Sequence, residues 1–227
     1  MKKSIFTILF ISVFYLISIA QHQIGGNISY GIPYYKIVNT NSNATINYTP
    51  EQLYDIELNY KKRWPGVLNF GSSISYQFQS SHFEKEVITP NSYVFQERNY
   101  QLNYINIKVF PEFVYGENIK ISLQLGPSIS FLVYSDINGY TDVSNSINGV
   151  KIRTEESGTA SDDFDIVNFL LFAGAGIDIP INDNILINGG IQYQYNINSW
   201  FAVEENTYSD RSLIFRLGIA YKLKQIL

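Results

Sequence analysis

Period-two alternation of apolar and polar residues dominates this chain. From Ile185 to Asn198 one face reads Ile185, Ile187, Gly189, Ile191, Tyr193, Tyr195 and Ile197, against Leu186, Asn188, Gly190, Gln192, Gln194 and Asn196. Alternation of that length exceeds an ordinary soluble strand. Leu68 to Gln79 repeats it, with Leu68, Phe70, Ile74, Tyr76 and Phe78 against Asn69, Gly71, Ser73, Ser75, Gln77 and Gln79. The closing segment sets Leu213, Phe215, Leu217, Ile219, Tyr221 and Leu223 against Ile214, Arg216, Gly218, Ala220 and Lys222. Weaker versions cover Ile24–Lys36, Leu53–Lys61, Tyr100–Phe110, Ile119–Val133 and Phe169–Ile179. Eight strands of roughly ten residues each suit a tilted strand crossing an apolar band about 25 Å tall.

The connections alternate too. Short links fall at Lys62–Gly66, Glu112–Asn118 and Pro180–Asn184, and long loops at residues 37–52, 80–99, 134–168 and 199–212. Short periplasmic turns and long outer loops give this alternation. The sequence therefore predicts an all-β fold, an eight-stranded antiparallel up-and-down transmembrane β-barrel over residues 21–227. Two local irregularities stand out. Tyr100, Leu102 and Tyr104 keep one phase, whereas Ile105, Ile107 and Val109 keep the other, which predicts a bulge near Tyr104–Ile105. Pro127 inside a strand predicts a second bulge.

Alternation alone does not say which face meets lipid. A face in water usually carries charge, yet the polar faces of the Leu68 and Ile185 segments hold only Asn, Gln, Ser and Gly. Uncharged hydrogen-bonding groups suit a crowded lumen. Composition agrees: 18 tyrosines and 15 phenylalanines against two tryptophans and one methionine supply rings for an interfacial girdle. The runner-up architecture is a soluble ligand-binding barrel.

Residues 1–20 read as a signal peptide: Lys2 and Lys3, an apolar run from Ile5 to Ile19, and a Ser18-Ile19-Ala20 cleavage pattern. Without Lys2 and Lys3, 14 basic side chains face 20 acidic ones, a net charge near −6. That argues against a nucleic-acid partner, which needs clustered cations. With no cysteine, disulfides and thiolate metal sites are excluded. The setting these features imply is the outer membrane of a Gram-negative bacterium, with its lipid as partner.

The segments Tyr104-Ile-Asn-Ile-Lys-Val-Phe-Pro111, Leu125-Gly-Pro-Ser-Ile-Ser-Phe131, Phe172-Ala-Gly-Ala-Gly-Ile-Asp-Ile-Pro180 and Leu217-Gly-Ile-Ala-Tyr221 resemble the PorT-like outer-membrane β-barrel domain family. The resemblance covers essentially all of residues 21–227 and implies an outer-membrane barrel. One branch of that family serves a secretion system.

Eight strands enclose a lumen that side chains fill, so inward charges carry the candidate chemistry. Glu57 and Arg216 fall at similar depth and are expected to pair across the lumen, with Asp55 one inward position above Glu57. Nearer the periplasm, Lys61, Lys108, Lys120 and Lys222 are expected to surround Asp178. The expected outcome is an ionic plug, because buried charges must be paired; a gated narrow channel is the alternative. For catalysis only His22 and His82 titrate near neutrality. Ser80, Ser81 and His82 are sequence neighbours, not a constellation gathered from separate strands. No enzyme and no cofactor is expected. The longest loop carries Asp136, Asp142, Glu155, Glu156, Asp162, Asp163 and Asp165 without EF-hand spacing, which reads as a solvated acidic segment. Within it, Thr141–Ser144 and Val150–Thr154 could form a hairpin above the membrane. The leading functional expectation is extracellular binding or a structural role through the four long loops; an accessory part of a secretion system is the third reading.

Overall fold

The computed structural model describes residues 21–38, 44–64, 66–145, 147, 149–159, 164–198, 201–203 and 206–223. The signal-peptide segment lies outside them, as do Asp162 and Asp163. Ten strands follow in chain order: β1 Gln21–Val38, β2 Ala44–Arg63, β3 Leu68–Ile88, β4 Ser92–Tyr115, β5 Lys120–Asn145, β6 Lys151–Gly158, β7 Val167–Pro180, β8 Ile185–Asn196, β9 Phe201–Val203 and β10 Asn206–Leu223. Eight of them close a ring, β1-β2-β3-β4-β5-β7-β8-β10, and β10 pairs back onto β1 from His22↔Leu223 to Val38↔Thr207. All pairings are antiparallel. Closure removes the sheet edge that lipid could not satisfy.

The faces are inverted relative to a soluble barrel. On β1, Asn27 is 7% exposed and the adjacent Ile28 64%. The same holds around the ring: Ile56, Leu58, Ile74, Val109, Leu123, Leu125, Phe169, Ile191, Leu217 and Ile219 point outward and exposed, while Asn59, Ser73, Ser75, Gln77, Gln124, Ser128, Gln192 and Gln194 are buried inside. An apolar exterior around a polar interior is stable only in lipid, and the chain is a transmembrane β-barrel. Aromatic rings flank the aliphatic band. Tyr30 and Tyr54 stack at 5.5 Å, and Trp64 meets Phe70 edge-on at 5.7 Å near the opposite rim.

The turns at one end are tight. Gly116 has φ +110°, and a Cβ there would sit 2.2 Å from the Ile119 carbonyl oxygen, so the β4–β5 turn needs glycine. Between β7 and β8, Asn182 Oδ1 accepts from the backbone N–H of Asn184 and Ile185 at 2.9 and 2.8 Å.

At the other end, all four expected long loops need correction. Residues 80–99 are not a loop: β3 and β4 stay paired to Ile88↔Tyr93, and Thr89–Ser92 closes the hairpin. Likewise β2 runs from Ala44, β5 to Asn145 and β10 from Asn206, so much of 37–52, 134–168 and 199–212 is strand. The expected hairpin above the membrane is present, with Thr141 opposite Thr154. These segments were hidden because above the membrane both faces carry charge, and the apolar–polar contrast that marks a lipid-facing strand fades.

The bulge expected near Tyr104–Ile105 is present, but its extra residue lies on β5 and not on β4. β4 keeps one phase, with Tyr100, Leu102, Tyr104, Asn106, Lys108, Phe110, Glu112 and Val114 all inward. What changes is the chemistry of the lumen, from polar to apolar. The register shift lies across the ladder, where Asn103 opposes Tyr134 but Tyr104 opposes Leu132, leaving Val133 of β5 as the extra residue. Pro127 makes no bulge. The β4–β5 ladder breaks between Lys108↔Ser128 and Glu112↔Gln124 and resumes in the same register, so the missing N–H of Pro127 falls in the gap.

Candidate functional site

The lumen is built in layers. At the periplasmic end Lys61 Nζ donates to Glu112 Oε1 at 2.6 Å, and Arg63 reaches both Glu112 (3.5 Å) and Asp178. Gln124 adds a donor to Glu112 at 2.8 Å. Next come two rings, Phe110 and Phe172, edge to face at 5.7 Å. Phe110 fits because β3 carries Gly71 opposite it; a Cβ there would lie 2.4 Å from the ring. Above the rings Lys108 Nζ sits 2.9 Å from Glu57 and 3.8 Å from Asp55, with the Phe172 face 5.9 Å away. Glu57 also accepts from Asn27 (2.7 Å) and Ser73 (3.0 Å). Both layers are nearly inaccessible to solvent, so these are buried charges with partners, as burial demands. An amide layer follows, in which Asn106 accepts from Ser130 (2.5 Å) and donates to Gln77 (3.1 Å).

The outer mouth is closed differently. Ile46, Phe83, Tyr100, Leu102, Tyr104, Ile137 and Phe164 form one buried cluster with Leu132 packed on it. Phe164 comes from the segment between β6 and β7 and meets Tyr100 edge-on at 5.1 Å. It is an apolar stopper over a polar lumen. Below it the lumen keeps cavities of about 20 Å³ beside Asn59 and Arg216, and about 10 Å³ beside Gln77 and Asn196. Room of that size takes single waters, not a hydrated ion.

The sequence-derived candidates divide accordingly. Asp55, Glu57, Lys61, Lys108 and Asp178 all enter ion pairs, but the partners differ from the expected ones. Glu57 pairs with Lys108, not Arg216, because the Lys108 side chain reaches inward from β4 past the intervening β3; Arg216 donates instead to Gln124 Oε1 at 3.0 Å. Of the four lysines expected around Asp178, Lys120 stands opposite it in the β5–β7 ladder, but none forms its ion pair: Lys61 holds Glu112, Lys108 lies a layer higher, and Arg63 takes Asp178. Lys120 and Lys222 enter no ion pair among the described residues. Arg63 and Glu112 were missed because they fall in segments assigned to turns. The signal was present, since Lys61 and Arg63 on β2, and Phe110, Glu112 and Val114 on β4, continue the inward phase.

Above the membrane β2 to β6 form one five-stranded sheet projecting from the rim. Its axis-facing side carries Arg98 and Glu156 at 2.7 Å, with Thr141 donating to Glu156 at 2.8 Å. Partial burial raises the Glu156 carboxyl, but these donors outweigh it and hold it below its ordinary value. Farther out Val87, Val94, Val143 and Ile152 fall in one row across four strands, and Ile152 is 56% exposed. On the opposite side Arg153 holds Asp142 through two bonds, at 2.7 and 2.6 Å, and lies 4.1 Å over the Tyr140 ring. The acidic segment is thus in part a paired strand surface. No group of three or more acidic or histidine side chains converges to hold a metal among the described residues.

The histidines stand apart from any nucleophile. Strand alternation points Ser81 into the barrel, buried, and His82 out of it, where its Nδ1 lies 2.7 Å from Asn99 Oδ1. His22 Nδ1 lies 2.5 Å from the Tyr60 hydroxyl.

No protein-family model and no curated protein matches the chain. Solved structures similar to it include Ail, the attachment invasion locus protein of Yersinia pestis (14% identity over 90% of this chain and 99% of that one, TM-score 0.44). Others are Neisserial surface protein A (13%, 89% and 97%, TM-score 0.43) and the outer membrane protein OprG from Pseudomonas aeruginosa (13%, 91% and 97%, TM-score 0.44). Likenesses this distant carry no argument about activity, and the reading of this barrel rests on its own geometry.

Proposed function

We propose that the protein is a non-enzymatic, non-conducting barrel of the Gram-negative outer membrane that holds a rigid binding surface outside the cell. The carrying observation is the continuous backbone ladder from the membrane band into the β2–β6 sheet. That sheet ends in an apolar row whose Val143 and Ile152 are exposed, and in β6, which pairs with β5 alone among the described residues. A recognition surface on paired strands loses less conformational freedom on binding than one on loose loops. The lumen supports the same reading, because a charged plug and an apolar stopper in series leave no path for ions. The PorT-like resemblance belongs to this proposal as a shared barrel architecture, not as a shared task.

The test uses barrels in nanodiscs, intact or with the β5–β6 hairpin cut back to a short turn between Asn138 and Ser157, probed on arrays of glycans and extended peptides. Signals seen with the intact barrel and lost in the trimmed, still heat-modifiable one are expected. Equal binding by both, or steady conductance of the intact barrel in planar bilayers, would overturn the reading.

A further inference from the structure

The periplasmic mouth carries more positive charge than its carboxylates neutralise. Lys61, Arg63, Lys120 and Lys222 gather there against Glu112 and Asp178. Lys61 and Arg63 hold both acids, so Lys120 and Lys222 are left without an ion pair among the described residues. The rim acids Glu117 and Asp183 are exposed on turns. Arg63 is 6% exposed, and its Nε is buried without an acceptor. A buried guanidinium N–H with no acceptor is costly. A cavity of about 280 Å³ opens at this point, lined by Gln21, Arg63, Trp64, Asn69, Val114 and Lys120, among others.

Trp64 fixes the depth. Its ring packs on lipid-facing Phe70 with the Lys62 ammonium 5.2 Å from its centre, the arrangement of an interfacial anchor. The cavity therefore opens level with the headgroups of the inner leaflet. We infer that it binds a phosphate group, with Lys120 and Arg63, which both line the cavity, supplying the charge. The phosphate could belong to a phospholipid headgroup or be free in the periplasm; both present the same oxygens. This inference uses the barrel's orientation but not the proposed role of the outer sheet.

Trp64 is also the reporter, because Trp200 is the other tryptophan of the chain and can be removed as Trp200→Phe. The full chain, folded in octyl glucoside without phosphate, is titrated with inorganic phosphate and separately with dihexanoyl phosphatidylglycerol, at ionic strength matched with chloride. A saturable change in Trp64 emission is expected, weakened about tenfold by Lys120→Gln and restored by Lys120→Arg, since hydrogen bonds to charged groups are worth roughly that factor. Saturation by the lipid alone assigns the headgroup, and saturation by both at similar affinity assigns phosphate itself. No response beyond that to chloride overturns the site, and so does an unchanged affinity in Lys120→Gln that migrates as a folded barrel. Lys222→Gln gives a second reading if Lys120→Gln does not fold.

Discussion

The two ends of this lumen solve one problem with opposite chemistry. Eight strands enclose a space that must be filled. The periplasmic half fills it with Lys108, Glu57, Asp55, Lys61, Arg63, Glu112 and Asp178, and the outer half with Phe83, Tyr100, Leu102, Tyr104 and Phe164. The charged half depends on every partner being present, because a lone buried charge is far worse than none. The apolar half tolerates loss in proportion to the volume removed. Conformational change, if the barrel opens, should therefore begin at the outer mouth.

Lys108→Ala is the sharpest way to break this contrast. It leaves Asp55 and Glu57 buried without the cation that contacts both, and a loss of roughly 3–5 kcal/mol is expected in urea unfolding from vesicles. Adding Asp55→Asn and Glu57→Gln to Lys108→Met should recover part of it, since no carboxylate of the layer is then left without a cation and only Arg216 keeps a charge there. A loss under about 1 kcal/mol for Lys108→Ala would mean that Arg216 swings over to replace it, and that the charges form no fixed layer.

Phe164→Ala tests the other half. Truncating a buried ring costs about 3 kcal/mol, or less where the surroundings can collapse into the space. The decisive readout is conductance. The single variant should stay closed, because the charged layer lies beneath it; the combination with the triple variant should show brief openings. Steady current through Phe164→Ala alone would make the stopper the true gate and the ionic layer a lining.

How much of this was legible depends on what each strand faces. Where lipid is outside and amides are inside, as on β3 and β8, alternation named the faces residue by residue. Tyr100, Leu102 and Tyr104 defeated it because they are apolar and yet inward, filling the mouth, and period two cannot tell an apolar lumen from an apolar exterior. Asp55, Glu57 and Lys108 were legible as inward charges, but their pairing was not. Partners are set by strand order and barrel stagger, which bring inward side chains of β4 to those of β2 past the intervening β3, and no spacing along one strand encodes that. Arg63 and Glu112 were lost at the turns, where strand ends are hardest to read.

Gly71→Ala makes a smaller, more local comparison between the halves. A methyl group there would press on the Phe110 ring between the two charged layers, and overpacking of this kind costs about 1–3 kcal/mol. A methyl in the projecting sheet, as in Gly139→Ala, would meet the Glu97 carbonyl oxygen at 2.0 Å, a backbone clash rather than a ring that can tilt. Gly139→Ala should therefore disturb the projecting sheet more than Gly71→Ala disturbs the lumen, as measured by amide exchange in β5 and β6. The reverse order would show that the lumen packing is the stiffer of the two.

The smallest expected effect separates the sheet from the barrel by pH. Glu156 titrates below its ordinary value in the folded sheet, despite partial burial, because Arg98 and Thr141 hold its charged form. A lowered folded value means the contribution is present above the unfolded carboxylate range and is lost as pH falls through the folded value. Asp142, held chiefly by its hydrogen bonds from Arg153, shifts the same way and adds to it. Exchange of the β6 amides should accelerate as pH drops below about 4, relative to the intrinsic rate, while those of β8 in the membrane band do not change. Arg98→Met should remove much of that dependence. A pH response in β6 that survives Arg98→Met together with Arg153→Met would place its origin outside these two ion pairs.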